Sequence, residues 1–235
     1  MFKNLFPNKI ILLKNNTIKI LLFIMILIFI IGLFFALFIS PPDYLQGDSV
    51  RIMYVHVPSS FIALGCFGLI GIASGFNLIF KIKLAPLFAK SLAPIGCIFS
   101  ITSIVTGSLW GKPTWGIWWV WDARLTSMLV LFLFYLAYIF SWKVIKNYEK
   151  AVKVSSFIGI VGLINLPIIK YSVNWWNTLH QTSSIKLTSL PTIHYTMLIP
   201  LLIMFLGMLI YSLIIFLMRY KTELMKLKLN KKKNN

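Results

Sequence analysis

The chain has 235 residues, 59% of them hydrophobic and only 12% charged, with a mean hydropathy of +0.86. A soluble domain carries roughly 25% charged residues. The composition therefore describes an all-α, polytopic membrane protein: one membrane domain over residues 1–235, with no length left for a separate soluble domain. The net charge of +18 would suit nucleic acid, yet the lysines stand in short clusters between apolar runs. That is the pattern of membrane topology, so the bilayer and not nucleic acid is the expected partner.

Six stretches reach the roughly 20 residues needed to cross a hydrocarbon core of about 30 Å, near 20–39, 57–80, 88–109, 125–142, 154–172 and 196–218. The first follows Lys3, Lys9, Lys14 and Lys19. It is too long for a signal-peptide core, and Ser40-Pro41-Pro42 offers no cleavage pattern, so it stays as a transmembrane helix. The second is entered through Met53-Tyr54-Val55-His56-Val57-Pro58. Cys66 and Cys97 lie inside apolar runs and read as small core residues, with no CxxC for zinc or redox work and no CxxCH for covalent haem attachment.

Between the third and fourth runs, 110–124 carries Gly111, Pro113 and Gly116 and reads as a loop. It holds Trp115-Gly116-Ile117-Trp118-Trp119-Val120-Trp121-Asp122, four tryptophans within seven residues followed by one of only five acids. The fifth run is the weakest, since Pro167 and Lys170 lie in it; proline is tolerated in a membrane helix and lysine can snorkel from its end. Asn174-Trp175-Trp176-Asn177-Thr178-Leu179-His180-Gln181 precedes the sixth run. The basic tail, 219–235, ends in Lys231-Lys232-Lys233-Asn234-Asn235 and suits a surface of lipid headgroups. Abundant Ile, Phe, Lys and Asn fit an AT-rich genome, organellar or bacterial.

Charge sets the orientation. Of the 23 lysines and arginines, 18 fall on the side of the termini; the other side has only Arg51, Lys112, Arg124, Lys170 and Lys186. The positive-inside rule places both termini in the cytoplasm or matrix. All three histidines, and every tryptophan except Trp142, then lie at or near the outer face. An aromatic belt populates both interfaces, so this one-sidedness points to a ligand site more than to anchoring.

Indoles make a platform for a flat ligand, and imidazole is a good ligand for iron. His56 and His180, from separate loops, can bind one metal from opposite faces. Zinc fits poorly, because it takes three or four protein ligands from Cys, His and carboxylates, and the outer side has no cysteine and few acids. Haem brings four nitrogens and needs only the axial pair. Its propionates want cations, and Arg51, Lys112 and Arg124 are on the correct side. Asp122 has several open roles: N-cap of the fourth helix, acceptor for an indole N–H, partner of Arg124 or Lys112, or a contact for another protein.

Trp115-Gly-Ile-Trp-Trp-Val-Trp-Asp122-Ala-Arg124-Leu-Thr126 resembles the tryptophan-rich "WWD" signature of the haem-handling proteins. The two histidine segments resemble those of one branch, the cytochrome c maturation protein C (haem exporter protein C) family. The resemblance covers most of the chain. It implies non-covalent haem b with His56 and His180 as axial ligands, and Trp115, Trp118, Trp119, Trp121 and Asp122 as a haem-presenting loop; Arg124 joins the haem-binding residues as a cation for a propionate. It implies delivery of haem to a membrane-anchored haem chaperone (protein E), alongside a small single-helix subunit (protein D) and ABC transporter subunits A and B. It implies no enzyme activity, and it gives His194 no ligand role, leaving it as an interfacial histidine. The expected location is the mitochondrial inner membrane if organelle-encoded, otherwise the bacterial cytoplasmic membrane, with the haem site on the intermembrane-space or periplasmic side.

Two other functions compete: a transporter moving haem or another small molecule through the helices, and a structural assembly subunit whose tryptophans dock partners. No Walker motif is present, and no chain of intramembrane acids or histidines suggests ion-coupled transport. The topology is tested by membrane-impermeant labelling of single cysteines introduced in 40–50, 111–117 and 181–190. All three should react from outside only, and labelling of any from the inner side alone would overturn the orientation.

Overall fold

The computed structural model describes residues 15–180 and 191–233. Lys3, Lys9, Lys14, Gln181, Lys186, Asn234 and Asn235, and with them the 181–190 loop, lie outside the described residues. Within them every regular element is helical. Helix α1 is Asn15–Phe34, continued by a π-helical turn Phe35–Ile39; a 3-10 turn Asp48–Ile52 leads into α2, Met53–Phe80. Then come α3 (Ala85–Trp115), α4 (Ala123–Val144), α5 (Tyr148–Leu163), α6 (Asn165–Trp175) and α7 (Tyr195–Lys233). Six spans are long and apolar enough to cross a membrane, with α5 and α6 together forming the fifth. Helices are what hydrocarbon demands, since each backbone N–H and C=O must find a partner within its own segment.

Helix α2 is the centre, packed on α3, α5 and α7, while α4 packs on α3, α5 and α6. Close approach rests on small residues. A side chain at Gly96 of α3 would overlap the Tyr135 phenol, which reaches across from α4 and donates to the Ala63 carbonyl of α2 at 2.6 Å. Gly71 and Gly162 likewise leave room for Leu163 and Phe67 where α2 meets the α5 segment. Helix α1 lies against α7, with Ile20, Phe23 and Ile30 turned outward, as is Phe38 of the π turn that follows.

Two features depart from simple spans. Helix α3 continues through Gly111 and Pro113 to Trp115, so the loop proper is 116–122 rather than 110–124. The last turn survives its proline because Thr114 donates to the Trp110 carbonyl at 2.7 Å and Gly116, at φ 78°, closes the helix with N–H to the Lys112 carbonyl. The fifth span breaks at Ile164. Pro167 has no N–H, and its ring crowds the carbonyl four residues earlier. The break is pinned by buried Asn165, which donates to the Ser127 carbonyl of α4 at 2.8 Å.

The lysine-rich end has its own lock. Lys90 of α3 and Lys226 of α7 both bond Glu223, at 2.7 and 3.1 Å, and the Lys90 ammonium lies 4.7 Å from the Trp142 ring centroid. The opposite end, where α2 and α4 begin and α3 and α6 finish, collects the residues singled out by sequence.

Candidate functional site

His56 lies on the first turn of α2 and faces α3. Its Nδ1 is 3.0 Å from the Ser103 carbonyl and 3.1 Å from Thr106 Oγ1. The Thr106 hydroxyl hydrogen is already directed to the Thr102 carbonyl at 2.7 Å. Both neighbours therefore accept and Nδ1 carries the proton, so in the neutral form of the ring the lone pair lies on Nε2. Gly107 makes the space: a Cβ there would come within 2.9 Å of His56 Cε1. Trp110 packs edge-on against the imidazole, ring centroids 5.7 Å apart, and its indole N–H donates to Gln46 at 2.9 Å. Gln46 belongs to a short loop shaped by Asp43, whose carboxylate accepts from the N–H groups of Leu45 and Gln46, both at 2.9 Å.

His180 follows the end of α6. Its ring lies 6.1 Å from that of Trp115, the last residue of α3. Each histidine thus meets a tryptophan from the final turns of the same helix. His180 and Arg124 both lie within electrostatic range of His56.

Asp122 joins these parts. One carboxylate oxygen accepts from the Leu125 N–H at 2.7 Å, making it the N-cap of α4. The other accepts from the Thr178 hydroxyl, and Thr178 Oγ1 accepts from the His180 N–H at 3.1 Å. The cap expected of Asp122 is present, and the same side chain also holds the His180 loop. Among the described residues it forms no ion pair with Arg124 or Lys112.

The tryptophan loop is braced from α3. Ser108 donates to the Trp118 carbonyl at 2.7 Å and Lys112 to the Gly116 carbonyl at 2.9 Å, its ammonium 5.9 Å from the Trp118 ring centroid. Trp119 and Trp121 pack edge to face at 5.5 Å. Trp121 is 76% exposed, whereas the Trp119 indole N–H is buried with no protein acceptor.

The three cations proposed for a ligand's carboxylates differ sharply. Arg51 is committed to the fold: it pairs with Asp48 at 3.0 Å and donates to the Ala36 and Leu37 carbonyls where the π turn ends α1. Lys112 serves the loop. Arg124 is half-buried and, among the described residues, its guanidinium has no hydrogen bond or ion pair.

Trp175 and Trp176 form an exposed cluster with Tyr171, whose ring stacks on Trp175 at 5.4 Å. His194 is exposed at the start of α7, its Nδ1 2.8 Å from Thr196 Oγ1. Sequence reasoning missed Trp110, Ser103, Thr106 and Thr178. For Trp110 a signal existed, one tryptophan about a turn before the motif; for the hydroxyls there was none.

A six-span helical bundle that gathers two imidazoles and several indoles at one end is an integral membrane protein with a candidate ligand site at the membrane surface. The family model described as Heme exporter protein C matches residues 2–235, and the chain belongs to that family. It is 43% identical over 196 residues to Heme exporter protein C of Haemophilus influenzae, covering 83% of this chain and 80% of that protein. Over 166 residues it is 45% identical to the protein of the same name in Bradyrhizobium diazoefficiens, covering 71% and 63%. It is also 45% identical over 174 residues to a protein of Marchantia polymorpha named as a ccmC-like mitochondrial protein of cytochrome c biosynthesis, covering 74% and 73%.

The double role of Asp122 is testable by amide hydrogen exchange. Asp122→Ala should cost about 1 kcal/mol for the cap and speed exchange both at the start of α4 and across 176–180. Thr178→Val should speed exchange at 176–180 alone. Unchanged exchange there in Thr178→Val would show that the carboxylate does not hold the loop.

Proposed function

We propose that the protein binds haem b non-covalently at the outer face of the membrane, through His56 and His180, and hands it to a haem chaperone during cytochrome c maturation. The observation that carries this reading is the fixed imidazole of His56: Nδ1 is turned into two acceptors, which leaves Nε2 as the free ligand nitrogen. Imidazole ligands of metals are commonly oriented by such a bond on their other nitrogen. His180, held through Thr178 and Asp122, supplies the second axial position. Among the described residues no group of three or more His, Cys, Asp and Glu comes together as a protein-only metal site would need.

Haem supplies the ring and the iron; the chain supplies orientation and charge. Arg124 is the cation best suited to a propionate, since its guanidinium has no other anion, and Lys112 is a second donor from the loop. The buried Trp119 N–H is a further donor awaiting an acceptor. Trp115, Trp118 and Trp121 complete an aromatic wall, with the exposed Trp121 on the side open to a partner. Names of relatives support haem handling, and the expected partners are the chaperone (protein E), the single-helix subunit (protein D) and transporter subunits A and B. Binding and delivery, rather than catalysis, is the role. The lysine clusters at the opposite end support placing the site on the periplasmic or intermembrane-space side, in a bacterial cytoplasmic or mitochondrial inner membrane.

Visible spectroscopy of the purified protein tests the ligands. Replacing His56 or His180 by Ala should weaken haem retention and leave five-coordinate iron that added imidazole restores to low spin. His194→Ala should leave the spectrum unchanged, and loss of the low-spin spectrum in His194→Ala but not in His56→Ala would reverse the assignment.

The tryptophan loop is tested by transfer. Single Trp→Ala changes at 115, 118, 119 or 121 should cost about 1 kcal/mol of haem affinity. They should lower chaperone–haem adduct yield per haem-loaded protein further. An unchanged yield per haem-loaded protein, with total adduct falling only in proportion to haem occupancy, would assign the loop to binding alone.

A further inference from the structure

A second unpaired arginine stands at the other end of the bundle. Arg219 of α7 lines a groove between α3 and α7 whose walls include Pro94, Ile98 and Phe99 on one side and Tyr211 and Ile215 on the other. Phe99 and Tyr211 meet edge to face at 6.4 Å. The Arg219 Nε is buried without a hydrogen-bond partner, and among the described residues no acid pairs with the guanidinium.

The reason is local. The acid one turn further along the helix, Glu223, has both carboxylate oxygens occupied by Lys90 and Lys226. Lys90 also lies one turn before Pro94 on α3, so the Lys90–Glu223 bridge closes the lysine-rich end of the groove. Arg219 is placed just inside that bridge, towards the bilayer centre.

Depth narrows the choice of partner. Arg219 lies 24 residues after Tyr195, the first residue of α7, or about 36 Å along the helix. A hydrocarbon core is about 30 Å thick. The apolar run of this helix, 196–218, ends just before Arg219, so the guanidinium falls at the headgroup edge of the span, with an apolar slot running from it along α3 and α7. A half-buried cation there is costly without an anion, and guanidinium matches the two-pronged geometry of a phosphate.

The geometry points to a phospholipid site, independent of the haem reading: the phosphate of an anionic lipid bonds Arg219 and one acyl chain lies in the groove between α3 and α7. Basic pockets between membrane helices on the cytoplasmic or matrix side hold such headgroups.

Native mass spectrometry of the purified full chain, with phosphatidylglycerol and phosphatidylcholine added in turn, tests it. The expected result is one phosphatidylglycerol retained per chain in preference to phosphatidylcholine. Retention should fall about tenfold in Arg219→Gln, the effect of one lost charge-assisted hydrogen bond. It should recover partly in Arg219→Lys and be unaffected by Lys83→Gln, an exposed cation at the same end. Ile98→Trp keeps the charge and fills the groove, and should also lower retention, which decides the matter if the arginine variants fold poorly.

Equal retention of both lipids overturns the proposal, as does undiminished binding in Arg219→Gln or Ile98→Trp. Displacement of the lipid by millimolar glycerol phosphate would assign the site to free phosphate. A wild-type chain that holds no lipid would mean that another subunit's acid neutralises Arg219. Both of these results also overturn it.

Discussion

The close seam between α2 and α3 governs the rest of this bundle. Hydrocarbon offers no partner for a polar group, so side chains between these helices must be small or bonded to the neighbouring backbone. Ser59 and Ser60 donate to the Val55 and His56 carbonyls at 2.7 and 2.9 Å, and Ser60 also meets Ser103 across the seam at 2.6 Å. The tight spacing brings the Ser103 carbonyl within reach of an imidazole on the first turn of α2. Gly107 then provides the volume that the ring fills. Helix packing and histidine orientation are one arrangement: a larger residue at 107 would displace the ring that the seam positions.

Asp122 does for the loops what that seam does for the helices. A carboxylate has two oxygens, and here each serves a different segment, Leu125 at the start of α4 and Thr178 before His180. The tryptophan loop ends at the residue that fixes the histidine loop. Loops at a membrane surface are ordinarily the mobile part of a bundle. Tying two of them through one buried side chain sets Trp115 and His180 in a common register.

Much of the fold was legible because its causes are local. Runs of apolar residues long enough for a bilayer declare helices, and six were visible. The gathering of histidines and tryptophans at one end followed from counting crossings. The break at Ile164 had a visible cause in Pro167, yet what pins it, the Asn165 bond to Ser127, joins residues 38 apart and leaves no trace in either neighbourhood. Pro113 misled in the other direction. One missing N–H near a helix end costs little when Thr114 and Gly116 close the turn, so α3 carries Trp110 and Trp115 as helical residues rather than loop residues. Arg51 read as one of three cations available to propionates, whereas Asp48 and the carbonyls of Ala36 and Leu37 hold it. Hydrogen bonds to a distant backbone have no sequence signature.

The charge balance of the chain links its two ends. Five acids cannot neutralise 23 cations, and most lysines need no partner because they stand in water or among headgroups. Arginines close to the membrane differ, since a partly buried guanidinium loses hydration and gains nothing unless an anion replaces it. At the tryptophan end Arg51 and Lys112 are taken up by backbone carbonyls, which leaves Arg124. At the lysine-rich end Lys90 and Lys226 occupy Glu223, which leaves Arg219. The same elimination works at both ends, and Arg219 stands beside an apolar groove while Arg124 follows the tryptophan loop in the chain. A cation with an apolar neighbour selects an amphiphile that carries its own anion. On the two proposals, the indole-lined end would take a flat ring with carboxylates and the groove between α3 and α7 a phosphate with an acyl chain.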